Sequence, residues 1–454
     1  MSSADSDSPF VAFARRLLGR GSARAVLRGS ISALGIKLGG MVCGFALSLL
    51  LTRALGAEGF GAYALALSWA LLFSAPVQSG LVGVMVREVA ASKAVEAWAP
   101  MKGLLVFGNL FCLMLSLLSA LVFFLFWAYG SSGQSTLSAS QVAWVVLLVP
   151  IYCLASLRSA VLRGLGLVTQ GLSPEQVVRP IFQIILITLL IFAFGTGLDA
   201  TSALIAHVFA ASVAFGVGAI LLYRSLPREI QRVPPSFHVS NWLKPVMAFA
   251  LVSGFGSIAQ SFVSIILGQA GGNAEVGLLR SSQQLASLSG LVILAVNSAA
   301  APHVASLFRL RKFDELELML RKFSWIMILG TFPPSVVLGI WGQQILEALF
   351  GPEFGPGSSA LAVLAIGQLL VSTSGLVGLT MNMAGFEKDT LVCCVVALLI
   401  TAAASIPMAE ANGATGAALA TVLGQVVMQA LLLWRVKVRI GISTSVLFHG
   451  RRPA

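Results

Sequence analysis

Charge is what this sequence has least of: Asp, Glu, Lys and Arg make up 10% of its 454 residues, where a soluble domain carries about 25%. A chain so poor in charge cannot cover a water-facing surface of this size, so water is not its main solvent. Long polar stretches are scarce as well. No segment outside the apolar runs much exceeds the N-terminal 28 residues, which leaves no room for a second, soluble domain. The five cysteines (Cys43, Cys112, Cys153, Cys393 and Cys394) all fall inside apolar runs. Thiols so placed behave as small hydrophobes, so no disulfide framework, metal site or cofactor is expected. A cleavable leader is not expected either, because the first apolar run begins only near Gly29 and is too long for one.

What the sequence does have is apolar length. Hydrophobic residues reach 57%, and the mean hydropathy is +0.92. A helix needs about 20 apolar residues to cross the hydrocarbon core. Twelve such runs can be drawn, over 30–54, 61–86, 103–128, 141–162, 178–195, 201–223, 243–268, 276–301, 323–345, 358–382, 391–409 and 413–434. Backbone groups in lipid must bond within their own segment, which makes these runs helices. A barrel would need alternating polarity over about ten residues, and these runs are continuous. The expected fold is an all-α polytopic membrane protein.

The net charge of +12 suggests nucleic acid at first sight, but its distribution does not. All but three of the 29 basic residues (Lys37, Arg53 and Arg280) fall in the two tails or the even-to-odd loops. The opposite loops carry the acids Glu58, Asp199, Glu275, Glu347, Glu353 and Glu410. By the positive-inside rule both termini are cytoplasmic, and no nucleic-acid partner is expected. Residues 9–28 interleave Phe10, Phe13, Leu17 and Leu18 with Arg15, Arg16 and Arg20. They read either as a basic amphipathic helix on the membrane surface or as a disordered tail.

The two halves echo each other at near-constant spacing. Leu55-Gly56 matches Leu267-Gly268, Gly61 matches Gly277, Lys102 matches Arg321, Gly164 matches Gly385, and the ATSA from Ala200 matches the ATGA from Ala414. An even number of spans per repeat gives both halves one orientation, with an axis along the membrane normal and a site between two six-helix lobes. The expected division is a basic segment at 1–28, an N-terminal lobe at 29–224, a cytoplasmic linker at 225–242, a C-terminal lobe at 243–436 and a basic tail at 437–454.

The run from Leu51 to Tyr63 (LTRALGAEGFGAY), the LRGLG from Leu162 with Glu175 and Arg179-Pro180, and the VGLLRSSQQL from Val276 with Asn297 and Ala301-Pro302 together resemble the oligosaccharide flippases. These form the Wzx-type, polysaccharide-transporter branch of the MOP/MATE superfamily. The FGPEF from Phe350 and the GATGAAL from Gly413 fit the same pattern, so the resemblance covers nearly the whole chain. It implies two lobes working by alternating access. The implied cargo is a polyprenyl-pyrophosphate-linked oligosaccharide moved to the periplasmic leaflet for surface-polysaccharide assembly. Polymerase and assembly proteins are the implied partners.

Such cargo needs a cationic, polar cavity, and an ionisable group within a span costs about 2.5–3.5 kcal/mol on insertion scales, which marks it as functional. Lys37 lies about two turns into the first span on a stripe with Ser30, Gly44 and Ser48. It reads either as a phosphate contact or as a lysine snorkelling to headgroups. Arg280 leads a polar stripe through Gln283, Gln284, Ser287 and Asn297, and the seventh span offers Ser253, Ser257, Gln260 and Ser264. Each such group taken singly is interhelical glue; two facing stripes read as a cavity wall. Arg87, Arg158 and Arg163 are candidates for drawing in an anion from the cytoplasm, or topology anchors. Arg53 is a release-side candidate. Gln78 lies in a Pro76-Val-Gln-Ser-Gly80 interruption of the second span, and Pro333-Pro334 interrupts the ninth.

Two other functions compete. A MATE-type antiporter would need carboxylates within its spans, and the 17 acidic residues are all expected at span ends, in loops or in tails. A membrane glycosyltransferase or polymerase would need a general base or metal site. Asp5-Ser-Asp7 lies in the N-terminal tail, and His207 stands alone in a span. The reading is a transporter, not an enzyme.

Overall fold

The computed structural model describes residues 9–130, 137–194, 198–240, 242–243, 246 and 255–442, and the backbone alone for 9–31, 33 and a few isolated positions. All its regular elements are helical. In chain order they are α1 (Pro9–Ala94), α2 (Trp98–Gly130), α3 (Ala139–Gly164), α4 (Val168–Ser173), a π turn (Pro174–Val178), α5 (Arg179–Phe194), α6 (Ala200–Ser225) and α7 (Arg228–Arg232). After the linker come α8 (Phe255–Ser289), α9 (Leu291–Arg309), α10 (Phe313–Ile340), α11 (Gly342–Phe350), a 3₁₀ turn (Pro352–Gly357), α12 (Ser358–Ser374), α13 (Val377–Met383) and α14 (Glu387–Ile440).

Ten helices among the described residues are long and apolar enough to cross a membrane. Three of them carry more than one span, and α9 continues past Gly290 the span that α8 begins after Gly272, which makes about twelve. At 1.5 Å per residue, the 61-residue apolar stretch Leu34–Ala94 is far longer than a hydrocarbon core of about 30 Å, so it must turn. It does so at Gly56, whose φ of 68° is left-handed and favours glycine. α8 breaks likewise at Gly272 (φ 81°), and α14 at Asn412 and Gly413 (φ 52°). The protein is thus an all-α, multi-pass membrane protein with about twelve spans in two lobes. Residues 9–28 are helical and continuous with the first span. The first part of the seventh span, with Ser253 and Ser257, lies outside the described side chains, as do Asp5, Asp7 and the tail beyond 442.

The repeat is visible in the backbone, with two shifts from the expected pairing. The partner of Gly56 is Gly272 rather than Gly268, because the left-handed turn is what recurs; likewise Gly166 (φ 84°), not Gly164, answers Gly385 (φ 83°). Gly61 and Gly277 do correspond. A Cβ on Gly61 would collide with the Asn273 carbonyl, and one on Gly277 would collide with the Ala57 carbonyl. Each half therefore presses its glycine on the other's turn, the reciprocity a two-fold relation demands.

The prolines do not interrupt their helices: α1 runs through Pro76 and α10 through Pro333-Pro334. Neighbouring helices supply donors to carbonyls near the strained turn. Ser119 donates to the Phe73 carbonyl at 2.6 Å and the Cys153 thiol to that of Ser74 at 3.8 Å. Short contacts fix the loops. Asp199 caps α6 by accepting from the Ser202 amide at 2.9 Å. Lys102 at the start of α2 donates to the Val233 carbonyl at 2.8 Å, holding the linker against the N-terminal lobe.

Candidate functional site

A cavity of about 460 Å³ opens between the lobes, within the roughly 300–1,000 Å³ typical of small-ligand sites. The N-terminal lobe contributes α1 from Gly40 to Leu71, Tyr152 of α3, Glu175 and Gln176 of the π turn, Arg179 and Gln183 of α5, and His207 of α6. The C-terminal lobe contributes Gln260, Arg280, Gln283, Gln284 and Ser287, all from α8.

The predicted polar stripe of the C-terminal lobe is brought together here. Arg280, Gln283, Gln284 and Ser287 recur at helical spacing, so one face of α8 presents all four, and Gln260 joins them from beyond the Gly272 turn. Arg280 donates through Nη2 to the Ser68 hydroxyl of α1 at 2.6 Å, a bond that crosses between lobes. No carboxylate among the described residues lies within ion-pair distance of it. Its Nε and both polar atoms of the Gln283 amide are buried without hydrogen-bond partners. Buried polar groups are satisfied in the great majority of cases, so this cavity wall keeps hydrogen-bonding capacity that the protein itself does not use.

The N-terminal wall is a connected network. The His207 ring sits between the Tyr63 hydroxyl, 2.7 Å from Nδ1, and the Tyr152 hydroxyl, 2.6 Å from Nε2. Arg179 donates to Tyr152 at 3.1 Å and stands 3.3 Å from His207 Nε2. Gln183 donates to Tyr63 at 2.9 Å. Glu175, one turn before Arg179, lies 3.7 Å from its Nε. His207 is thus not alone in its span, because three helices converge on it. Nor do all the acids avoid the spans: Val168–Ala193 is one continuous apolar helix, and Glu175 sits within it facing the cavity. Arg179 belongs to this wall too, where its place at the start of a span reads as a topology charge. The signal in the sequence was the helical spacing of Gln176, Arg179 and Gln183, all on one face.

The other candidates lie elsewhere. Lys37 is exposed, one turn before Gly40, on the helical face that carries Gly44 and Ser48 into the cavity, so it stands beyond the rim rather than in the wall. Asn297 is half-buried on α9 and does not line the cavity. Gln78 is spent on packing: it donates to Ser74 at 2.9 Å and accepts from Ser156 at 3.0 Å, joining α1 to α3. Arg87 pairs with its neighbour Glu88 at 2.9 Å. Arg158 lies over the Phe215 ring and donates to the Phe215 carbonyl of α6. Arg163 donates to the Ser159 carbonyl one turn back at 3.4 Å. Ser264 is buried and bonded within its own helix.

Arg53 does not line the cavity but ties the lobes together beside it. Its guanidinium donates to the carbonyls of Leu349 and Ala348 at 2.9 and 2.8 Å. These are the last carbonyls of α11, where a helix end favours a cation. Glu353 reciprocates by accepting from the Ala57 amide at 2.9 Å, just past the Gly56 turn. Phe45 meets Phe350 and Phe60 meets Phe354 beside them, with ring centroids at 6.1 and 6.4 Å. Glu353→Ala removes an acceptor from a helix start, which costs about 1 kcal/mol. It is expected to loosen this tie by roughly fivefold in the exchange of the Ala57 amide, read by hydrogen–deuterium exchange in detergent.

Comparison with known proteins places this geometry. Residues 26–308 match the family model "Polysaccharide biosynthesis protein". The capsular polysaccharide biosynthesis protein CapF of Staphylococcus aureus is 27% identical over 138 residues, 30% of this chain. That match spans only 34% of CapF itself. Among solved structures, an inward-facing multidrug resistance MATE family transporter of the MOP superfamily is similar with a TM-score of 0.71 and 16% identity, over 91% of this chain and 98% of that one. The lipid II flippase MurJ in an inward closed conformation is similar with a TM-score of 0.70 and 16% identity, over 90% and 87%. The fold is therefore that of the MOP transporters, and the chain belongs to the polysaccharide biosynthesis protein family.

Proposed function

We propose that this protein flips a polyprenyl-pyrophosphate-linked oligosaccharide from the cytoplasmic to the periplasmic leaflet of a bacterial inner membrane, by alternating access through the cavity between its lobes. The observation that carries the reading is the pair Arg179 and Arg280, one from each lobe, facing one cavity with hydrogen-bonding capacity left unspent. Arginine matches phosphate oxygens with two parallel donors. A diphosphate held between the lobes gives each a reason to close on it. Tyr63, Tyr152 and Phe60 supply flat surfaces for sugar rings, while the polyprenyl tail stays in the bilayer. With both termini cytoplasmic by the positive-inside rule, the inter-lobe tie made by Arg53 and Glu353 is on the periplasmic side. Opening on that side then requires Arg53 to release the α11 carbonyls. Lys37, beyond the cytoplasmic rim, meets the anion before the cavity does.

A MATE-type antiporter is the competing reading, and Glu175 is the observation in its favour. That carboxylate, however, faces Arg179 at 3.7 Å, and Arg280 leaves the wall net positive, which disfavours a cationic drug. Deleting the gene is expected to abolish a surface polysaccharide and to accumulate its lipid-linked repeat unit. An intact polysaccharide layer in the deletion strain would count against the flippase. In complementation, Lys37→Ala is expected to retain at least about a third of export at equal membrane abundance, because rim charges tune capture rather than affinity.

A further inference from the structure

The network in the N-terminal wall has a polarity, and it can be followed hydrogen by hydrogen. Arginine only donates, and Arg179 Nη1 stands 3.3 Å from His207 Nε2; two N–H groups facing each other at that distance repel, so Nε2 is taken as the nitrogen without a hydrogen. The Tyr152 oxygen accepts from Arg179 Nη1. Its own hydrogen then goes to Nε2 at 2.6 Å. A neutral imidazole carries one hydrogen, which is left on Nδ1 and is donated to the Tyr63 oxygen at 2.7 Å. That oxygen accepts a second hydrogen from Gln183 Nε2 at 2.9 Å. With the Gln183 amide turned so that its Nε2 donates and its Oε1 is left without a partner, both acceptor positions of Tyr63 are filled from behind, and no protein acceptor for its own hydrogen is found among the described residues. Tyr63 lines the cavity.

We propose that Tyr63 is an obligate hydrogen-bond donor to the cargo, and that His207 is the positioning residue that makes it so by holding its hydrogen on Nδ1. A hydroxyl in solution takes part as donor or acceptor; this one is left with donation only. It serves any group that accepts, a phosphate oxyanion more strongly than a sugar hydroxyl, and offers nothing to a group that can only donate. This rests on the anionic-cargo reading above and adds a specificity element to it. The arrangement also ties the two halves of the wall together: Arg179, by donating to Tyr152 and keeping a hydrogen off the facing Nε2, sets the direction of the hydrogen on Tyr63.

The tautomer is directly observable without disturbing the network. In a variant with His238, His303 and His449 replaced by Gln, His207 is the sole imidazole of the four histidines, and its two nitrogens can be read by ¹⁵N magnetic resonance in proteoliposomes. The expected spectrum is a neutral ring protonated on Nδ1. A ring protonated on Nε2, or on both nitrogens, overturns the inference. Binding of inorganic pyrophosphate to the purified full-length protein gives the second arm. Tyr63→Phe is expected to weaken it about tenfold or more, in line with one lost charge-assisted hydrogen bond, and Arg179→Ala and Arg280→Ala to weaken it at least as much. If the arginine variants lose affinity while Tyr63→Phe keeps it, the donor assignment falls and the anionic-cargo reading stands. If the arginine variants bind as wild type does, the anionic-cargo reading itself falls.

Discussion

Replacing Arg280 with Ala is expected to reduce transport of lipid-linked oligosaccharide by about tenfold or more while leaving the protein in the membrane, and the Arg179→Ala, Arg280→Ala pair to abolish it. A hydrogen bond to a charged group contributes about 1.5–3 kcal/mol, and a factor of ten is about 1.4 kcal/mol. Each arginine is therefore asked for one to two decades of cargo affinity. The two differ in what else they lose. Among the described residues Arg280 is bonded only to Ser68, so its removal is expected to cost the fold little. Arg179 holds Tyr152, His207 and Glu175, so its loss leaves Glu175 without its partner in the wall. Arg179→Ala is accordingly expected to lower thermal stability as well as transport, whereas Arg280→Ala lowers transport only. Lysine at either position restores charge but not the planar fork, and is expected to recover less than half of the lost activity.

Gly277→Ala is expected to act through the contact between the lobes rather than through the cargo. A Cβ there meets the Ala57 carbonyl, and its counterpart on Gly61 meets that of Asn273. Backbone cannot swing aside as a long side chain can, and overpacking of this kind costs about 1–3 kcal/mol. That penalty falls only on the state in which the two turns touch, so the equilibrium between cavity openings shifts by roughly 5- to 150-fold. Spin labels at Glu58→Cys and Glu410→Cys, in a background without the five native cysteines, should show one dominant separation in the parent. Gly277→Ala should show a second, longer one. A substitution that lowered abundance without changing the distance distribution would make the glycine a folding requirement instead.

Much of this was legible before any coordinates. Continuous apolar runs define the spans, because lipid leaves the backbone few options. The C-terminal wall was legible too, since Arg280, Gln283, Gln284 and Ser287 form a polar stripe within one apolar helix. The N-terminal wall was not. Tyr63, Tyr152, Arg179 and His207 come from four helices and have no mutual spacing in sequence. Arg179 and Glu175 were grouped with loop charges because the π turn over Pro174–Val178 lets the span begin earlier than its hydropathy suggests. Lys37 illustrates the converse. It shares a helical face with cavity residues, and periodicity says nothing about where along that face the cavity ends.

The proposed flippase passes an anionic cargo through a cationic cavity. The purified protein in proteoliposomes, offered polyprenyl-pyrophosphate-linked oligosaccharide and a cationic dye in parallel, should move the first across the bilayer. That movement should fall to the empty-liposome rate when Arg179 and Arg280 are both replaced, with the dye untouched throughout. Transport of the dye, or oligosaccharide movement indifferent to both arginines, would contradict this reading.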